Sequence, residues 1–164
     1  MQFTVNDKVV HPIHGAGLIT EIAAKNISGE RVECVVIRLM VGNAGVLLPT
    51  EVIDDTGLRT VVDAKKLSEA LKILSSDPED LPKDWRRRIE ALRDRVHSGD
   101  PCQVSSAVRD ILARSSISKM NPSEKRVLTE AIGVLAGEVA LVKEIAVGEA
   151  RRLIEKLVAK QRKS

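Results

Sequence analysis

The sequence predicts an α+β chain, with a small β-barrel over residues 1–60 followed by an all-α helical domain over residues 61–164. Two observations carry this. Residues 1–60 hold short apolar runs bounded by glycine, proline and asparagine. Past Thr56 the apolar residues recur at helical spacing instead.

In the first part, FTVNDKVVHP alternates and ends at Pro12. GAGLITEIAAK opens on its glycines and continues through Leu18, Ile19 and Ile22. ERVECVVIRLM is the strongest strand, with Val32, Val35, Val36, Ile37 and Leu39. GVLLP lies between Gly45 and Pro49. Turn pairs separate these runs at His14-Gly15, Ser28-Gly29 and Gly42-Asn43. Four or five strands this short close most readily as a strongly curved barrel.

In the second part, Asp63 can cap a helix that carries Leu67, Leu71 and Leu74. SSDPEDLP breaks the chain. A second helix begins near Asp84, runs to Val96 and ends at HSGDP. Pro101 opens a third, with Val104, Val108, Ile111 and Leu112 on one face. Asn121 is a good cap for a fourth, Pro122 suits the first helical position, and Glu124 stands three residues after the cap. That helix continues through Val127, Leu128, Ile132 and Leu135. A last helix covers about Val147 to Lys160, with Ala150, Leu153, Ile154 and Leu157 inward. Gly133, Gly137 and Gly148 weaken the late helices, which leaves their boundaries open. The terminal AKQRKS reads as a basic, mobile end.

Composition excludes several classes. The chain has 164 residues, 43% hydrophobic and 30% charged, an ordinary globular balance. No apolar run is long enough to span a bilayer. The opening MQFTVNDKVV lacks the basic-then-apolar order of a secretory signal, so a soluble, cytoplasmic protein is expected. Cys34 and Cys102 are far apart and form no CxxC pair, which rules out a four-thiolate zinc site. They read as reduced, buried thiols. There is no phosphate loop, dinucleotide fingerprint or nucleophile elbow. No enzymatic activity, cofactor or metal is therefore expected. His11 and His14 in HPIHG have a ligand-like spacing but no further ligand nearby, and read as turn residues. His97 reads as a favourable charge near a helix C-terminus. Asp54-Asp55 and Glu79-Asp80 read as solvated loop charges.

Charge is unevenly divided. Residues 1–60 carry five basic and seven acidic groups, a net −2, whereas residues 61–164 carry 21 and 16, a net +5. A basic half hints at a polyanionic partner. Within it, residues 83–95, KDWRRRIEALRDR, gather +3 around the only tryptophan of the chain. Trp85, Ile89, Leu92 and Val96 share one helical stripe, a pattern that by itself favours burial. Two features favour exposure. Trp85 sits in the first turn beside a linker, where a side chain can project past the helix end. Arg86, Arg87 and Arg88 fan across the exposed side. Arginines and free helix N–H groups hold phosphates, and an indole can stack on an exposed base or wedge at a disrupted step.

Six segments resemble the CarD/CdnL family of bacterial RNA-polymerase-binding transcription regulators, in the family's order and over nearly the whole chain. They are VNDKVVHPIHGAGLITEI at 5–22, TGLR at 56–59, DWRRR at 84–88, SGD at 98–100, VRDIL at 108–112 and SEKRVL at 123–128. The resemblance implies a Tudor-like N-terminal barrel that binds the RNA polymerase β subunit. It implies a helical domain that contacts promoter DNA at the upstream edge of the bubble opened with the primary sigma factor holoenzyme. Trp85 matches the family's minor-groove wedge, Arg87 a phosphate-contacting position, and Lys125 a second basic position. Arg86 and Arg126 are their basic neighbours. Such proteins stabilise the open promoter complex and are not enzymes. A monomer associated with the nucleoid, with no membrane contact, is expected.

One departure stands in GVLLP, where some relatives carry a basic side chain at the position of Leu47. Polymerase contact through Val46, Leu47 and Leu48 then depends more on backbone pairing along a strand edge. Lys25 is the remaining basic candidate. Strand alternation allows only one of Leu47 and Leu48 to be core. An alternative is a protein–protein adaptor on RNA polymerase without direct DNA contact, with Trp85 and the arginines as an interface hot spot. A polymerase-docking module from a repair translocase bears a similar barrel, but no phosphate loop exists here to drive a motor. No set of base-reading residues is visible, so action by position rather than by sequence is expected.

Overall fold

The computed structural model describes residues 2–162. Strands β1 (Lys8–His11), β2 (Gly15–Ile27), β3 (Glu30–Leu39) and β4 (Gly45–Pro49) lead into a 3₁₀ helix, Thr50–Asp55, and a short β5 (Arg59–Thr60). Helices α1 (Ala64–Leu74), α2 (Trp85–Val96), α3 (Pro101–Ser115), α4 (Pro122–Lys143) and α5 (Val147–Arg162) follow. The α+β order of the sequence reading therefore stands.

The sheet is antiparallel throughout, in the order β4-β3-β2-β1-β5. A register shift between Ile19 and Glu21 bends β2. The 3₁₀ helix runs between the two edge strands and buries Ile53 in a core with Val9, Ile19, Val35, Ile37 and Leu48. Gly17 lies opposite Leu39 where strands β2 and β3 pack tightly. A Cβ there would stand 2.6 Å from the Arg38 carbonyl oxygen, so only glycine fits. β1 is shorter than FTVNDKVVHP suggested. Asn6 takes a left-handed φ of 77° and the Thr4 N–H donates to Asp7 Oδ2 at 2.9 Å, so the start of that run is a turn. Its alternation came from turn chemistry rather than from pleating.

Four helices start on side-chain caps. Asp63 accepts from the Lys66 N–H at 2.8 Å, Asp84 from Arg86 at 3.1 Å, Asp100 from Cys102 at 2.9 Å and Asn121 from Glu124 at 2.8 Å. Pro101 and Pro122 occupy first turns, where a missing N–H costs nothing. The expected weakness at Gly133 and Gly137 does not interrupt α4, which runs 22 residues to a left-handed stop at Glu144. Gly137 has a packing reason instead. A Cβ there would lie 3.1 Å from the Ala16 side chain, so the glycine lets β2 approach the helix. The backbone of α5 stays helical through Arg162, so most of AKQRKS continues the helix rather than fraying; Lys163 and Ser164 lie outside the described residues.

The sheet packs on α4 through an ion pair on a buried carboxylate. Both terminal nitrogens of Arg59 donate to the Glu138 carboxylate at 2.8 Å, and the Val62 N–H donates to it at 2.9 Å. Arg59 Nε also donates to the Gly99 carbonyl at 2.7 Å. A carboxylate this buried requires such partners. The sheet and the helices thus form one packed unit.

Candidate nucleic-acid interface

Asp84 caps α2 and Trp85 is its first residue. The stripe through that helix divides sharply. Ile89, Leu92 and Val96 are buried, while Trp85 is 48% exposed. The three apolar residues hold the helix against α3 and α4, and the indole is left half-exposed beside Ile89 and Arg93 on the outer side of α2. Arg86 and Arg87 are exposed. The Arg86 guanidinium stands 5.5 Å from the centre of the indole ring, within cation–π range.

Arg88 does not join them, which corrects the arginine fan. It is 3% exposed. At about 100° per residue Arg88 falls only about 40° from Leu92, on the flank of the buried stripe, whereas Arg86 and Arg87 point well away from it. Its Nη2 donates to Glu124 Oε1 at 2.6 Å and its Nε to the same oxygen at 3.2 Å. Its Nη1 donates to the carbonyls of Pro82 and Lys83, each at 3.0 Å. Glu124, 2% exposed, receives a second cation on its other oxygen from Arg114 Nη1 at 3.0 Å.

Glu124 stands in the first turn of α4, directly before the exposed Lys125 and Arg126. The ion pair therefore brings the starts of α2 and α4 together. Trp85, Arg86, Arg87, Lys125 and Arg126 are all exposed at one end of the helical domain, on residues flanking that pair.

The sheet end is arranged differently. β4 is an edge strand that pairs with β3 on one side only. Leu47 is 47% exposed and Val46 is half-buried, whereas Leu48 is 9% exposed and packs in the module core. Leu48 is thus corrected as a contact: its side chain is in the core and its backbone faces β3, whereas the backbone of Leu47 faces the open edge. Lys25 lies on β2 opposite Val32, and it pairs with Glu21 at 3.0 Å. Leu47 lies opposite Val36 on the other side of β3. The two positions are four residue steps apart on β3, about 13 Å along the strand. The structure does not bring Lys25 into one patch with β4.

His11 and His14 stand at the β1–β2 turn and His97 at the end of α2. Burial, and then the neighbouring His14, hold His11 below the ordinary imidazole range. Its Nδ1 accepts from the Ile13 and His14 N–H groups at 3.1 and 3.2 Å and so organises the turn. His97 caps the end of α2 and its Nε2 meets the Glu130 carboxylate. Cys34 is buried and Cys102 half-buried, both as free thiols. Asp54 and Asp55 are exposed in the 3₁₀ helix rather than in a loop, and Glu79 and Asp80 are exposed in the α1–α2 connection. Among the described residues, no group of three or more His, Cys, Asp or Glu could hold a metal ion, and no helix is long and apolar enough to cross a membrane.

Three buried acids escaped the sequence reading. Besides Glu124 and Glu138, Asp110 is fully buried and accepts from Arg109 Nε at 2.8 Å, Arg95 Nη1 at 2.7 Å and the Glu79 N–H at 3.0 Å. Burial alone would raise its carboxyl, but the hydrogen bonds from Arg109, Arg95 and Glu79 outweigh it and hold Asp110 below the ordinary carboxylate range. The signal for two of them was present. Glu124 and Glu138 fall on the helical stripe of Val127, Ala131 and Leu135, where a charge demands a partner.

Comparison with known proteins gives the family. Residues 3–62 match the CarD-like/TRCF RID domain, and residues 69–155 match the CarD C-terminal domain. Over 143 residues the chain is 30% identical to the candidate transcription factor YdeB of Bacillus subtilis (strain 168). That match covers 87% of this chain and 94% of YdeB. The Tudor-like sheet, the helical domain behind it and these matches together show that the chain belongs to the CarD family of transcription factors.

Proposed function

We propose that the protein bridges RNA polymerase and promoter DNA, and that it stabilises the open complex formed by the primary sigma factor holoenzyme. Residues 1–60 act as the polymerase-docking unit and residues 61–164 as the DNA-binding unit. Trp85 is the wedge at the upstream edge of the bubble. Arg86, Arg87, Lys125 and Arg126 hold the flanking phosphates. The β4 edge, with the Val46 and Leu47 side chains and the outward-facing backbone of Leu47, meets the polymerase β subunit by strand addition. Lys25 is a separate polar contact on the same module.

The exposure of Trp85 carries this reading. A tryptophan kept for packing would be buried with Ile89, Leu92 and Val96 on the same stripe, and this one is not. Unstacking a base step costs a few kcal/mol, and an inserted indole offsets part of it. The open state gains only by the difference between its affinity for the protein and that of the closed state. Docking on polymerase raises the local concentration of a modestly basic DNA-binding unit, so tight binding to free DNA is not required.

The test is Trp85→Ala in reconstituted initiation with purified polymerase. The expected variant keeps its thermal midpoint and its polymerase affinity. Its open complex decays about 5- to 150-fold faster, the equivalent of about 1–3 kcal/mol for one lost stack. An unchanged lifetime rejects the wedge. A photocrosslinker at position 85 that labels polymerase and never promoter DNA favours the adaptor without DNA contact.

A further inference from the structure

We infer that Arg88, Glu124 and Arg114 form a charge node, centred on a buried carboxylate, that aims Trp85 and holds Lys125 and Arg126 in register with it. These are positioning residues, and the inference rests on the wedge reading of Trp85.

The node grips the tip from both sides. Arg88 follows the indole by three residues, and its Nη1 reaches back to the carbonyls of Pro82 and Lys83, just before the cap Asp84. One guanidinium thus fixes the chain entering the tip and the helix leaving it. The other nitrogens of Arg88 converge on Glu124 Oε1, while Arg114 at the end of α3 takes Oε2. Both carboxylate oxygens are therefore used, and the first turn of α4 is locked to α2 and α3. Lys125 and Arg126 follow directly on that turn.

Apolar packing alone does not do this. It is non-directional, and the indole, with about half its surface open, has less packing to orient it than the buried residues of its stripe. A planar guanidinium fork imposes direction as well as attachment. Replacing a buried ion pair with apolar residues of similar bulk often leaves stability intact, so the geometric role of the pair is separable from its contribution to the fold. The node also sets two guanidinium groups against one carboxylate, which leaves the tip cationic.

The experiment uses Arg88→Met/Glu124→Leu in the full chain. Arg114, partly exposed, can then turn to solvent. Trp85 is the only tryptophan, so its fluorescence anisotropy reports the order of the tip directly. The expected variant keeps its thermal midpoint and polymerase affinity, shows lower Trp85 anisotropy, and loses open-complex lifetime by roughly two- to thirty-fold. Glu124→Gln, which keeps the shape and one acceptor, is the second variant if the double substitution does not fold. A folded variant with wild-type lifetime overturns the inference. So does a lifetime that falls only in step with the thermal midpoint while anisotropy stays unchanged. Trp85→Ala separates the two readings. If it leaves lifetime unchanged, the wedge fails, and the anisotropy of the free double variant still decides whether the node orders the indole.

Discussion

At the β4 edge, Leu47 is exposed because Leu48 is buried. At the start of α2, Trp85 stands out while Ile89, Leu92 and Val96 are buried and Arg88 ties the helix to Glu124. The first arrangement follows from the two-residue period of a strand and needs no partner beyond β3. The second requires Arg88 to find Glu124, 36 residues further along the chain. One end of the molecule presents a surface through local backbone geometry, and the other through tertiary electrostatics. The two ends should therefore fail differently when altered.

The largest expected difference is at the helical tip. Glu124→Ala leaves Arg88 buried without its carboxylate, and loss of one partner of a buried pair costs about 3–5 kcal/mol. Denaturant unfolding measures it. Leu48→Ala, at the other end, should cost about 2–3 kcal/mol, in the lower part of the range for a truncated core leucine. A larger loss at Leu48 than at Glu124 would break the contrast. Leu47→Ala sharpens it, since stability should stay within about 0.5 kcal/mol while polymerase binding weakens in a pull-down titration.

Smaller effects test the tip's charges. Arg87→Ala should leave the fold unchanged and lower the salt slope of DNA binding by about 1, the signature of one lost phosphate contact. An unchanged slope places Arg87 away from the backbone. The last effect is a pH dependence confined to the acid range. Asp110 has a folded pKa below its ordinary value of 3.8, so its ionised form stabilises the fold at any pH above that value. That contribution is lost as pH falls through the lower, folded value. Asp110→Asn should flatten the acid limb of the stability profile. An acid limb identical to wild type would mean that the Arg95 and Arg109 contacts do not hold the carboxylate ionised.

Much of the fold was legible because its cues are local. Asp63, Asp84 and Asn121 announced helix starts, since a cap acts on N–H groups two or three residues away. The alternation in GVLLP already allowed only one of its leucines to be core. Turn chemistry hid the true start of β1, because Asn6 and Asp7 both bond to the single residue Ile19 across a left-handed turn instead of pairing in strand register. The glycines of α4 misled for the opposite reason. Their cost to the helix is local, but the benefit of Gly137 lies in contact with Ala16 on a distant strand.

The sequence by itself determined the two periods, the helix caps, the basic tip and the family resemblance, all of which depend on residue type and close spacing. Only the tertiary structure decided that Trp85 stands out while Arg88 turns in. Only it could pair Arg59 with Glu138 across 79 residues and so hold the sheet on the helices. The physical reason is the same in each case. A backbone period says which way a side chain points, but a buried charge is tolerated only where another element supplies its partner.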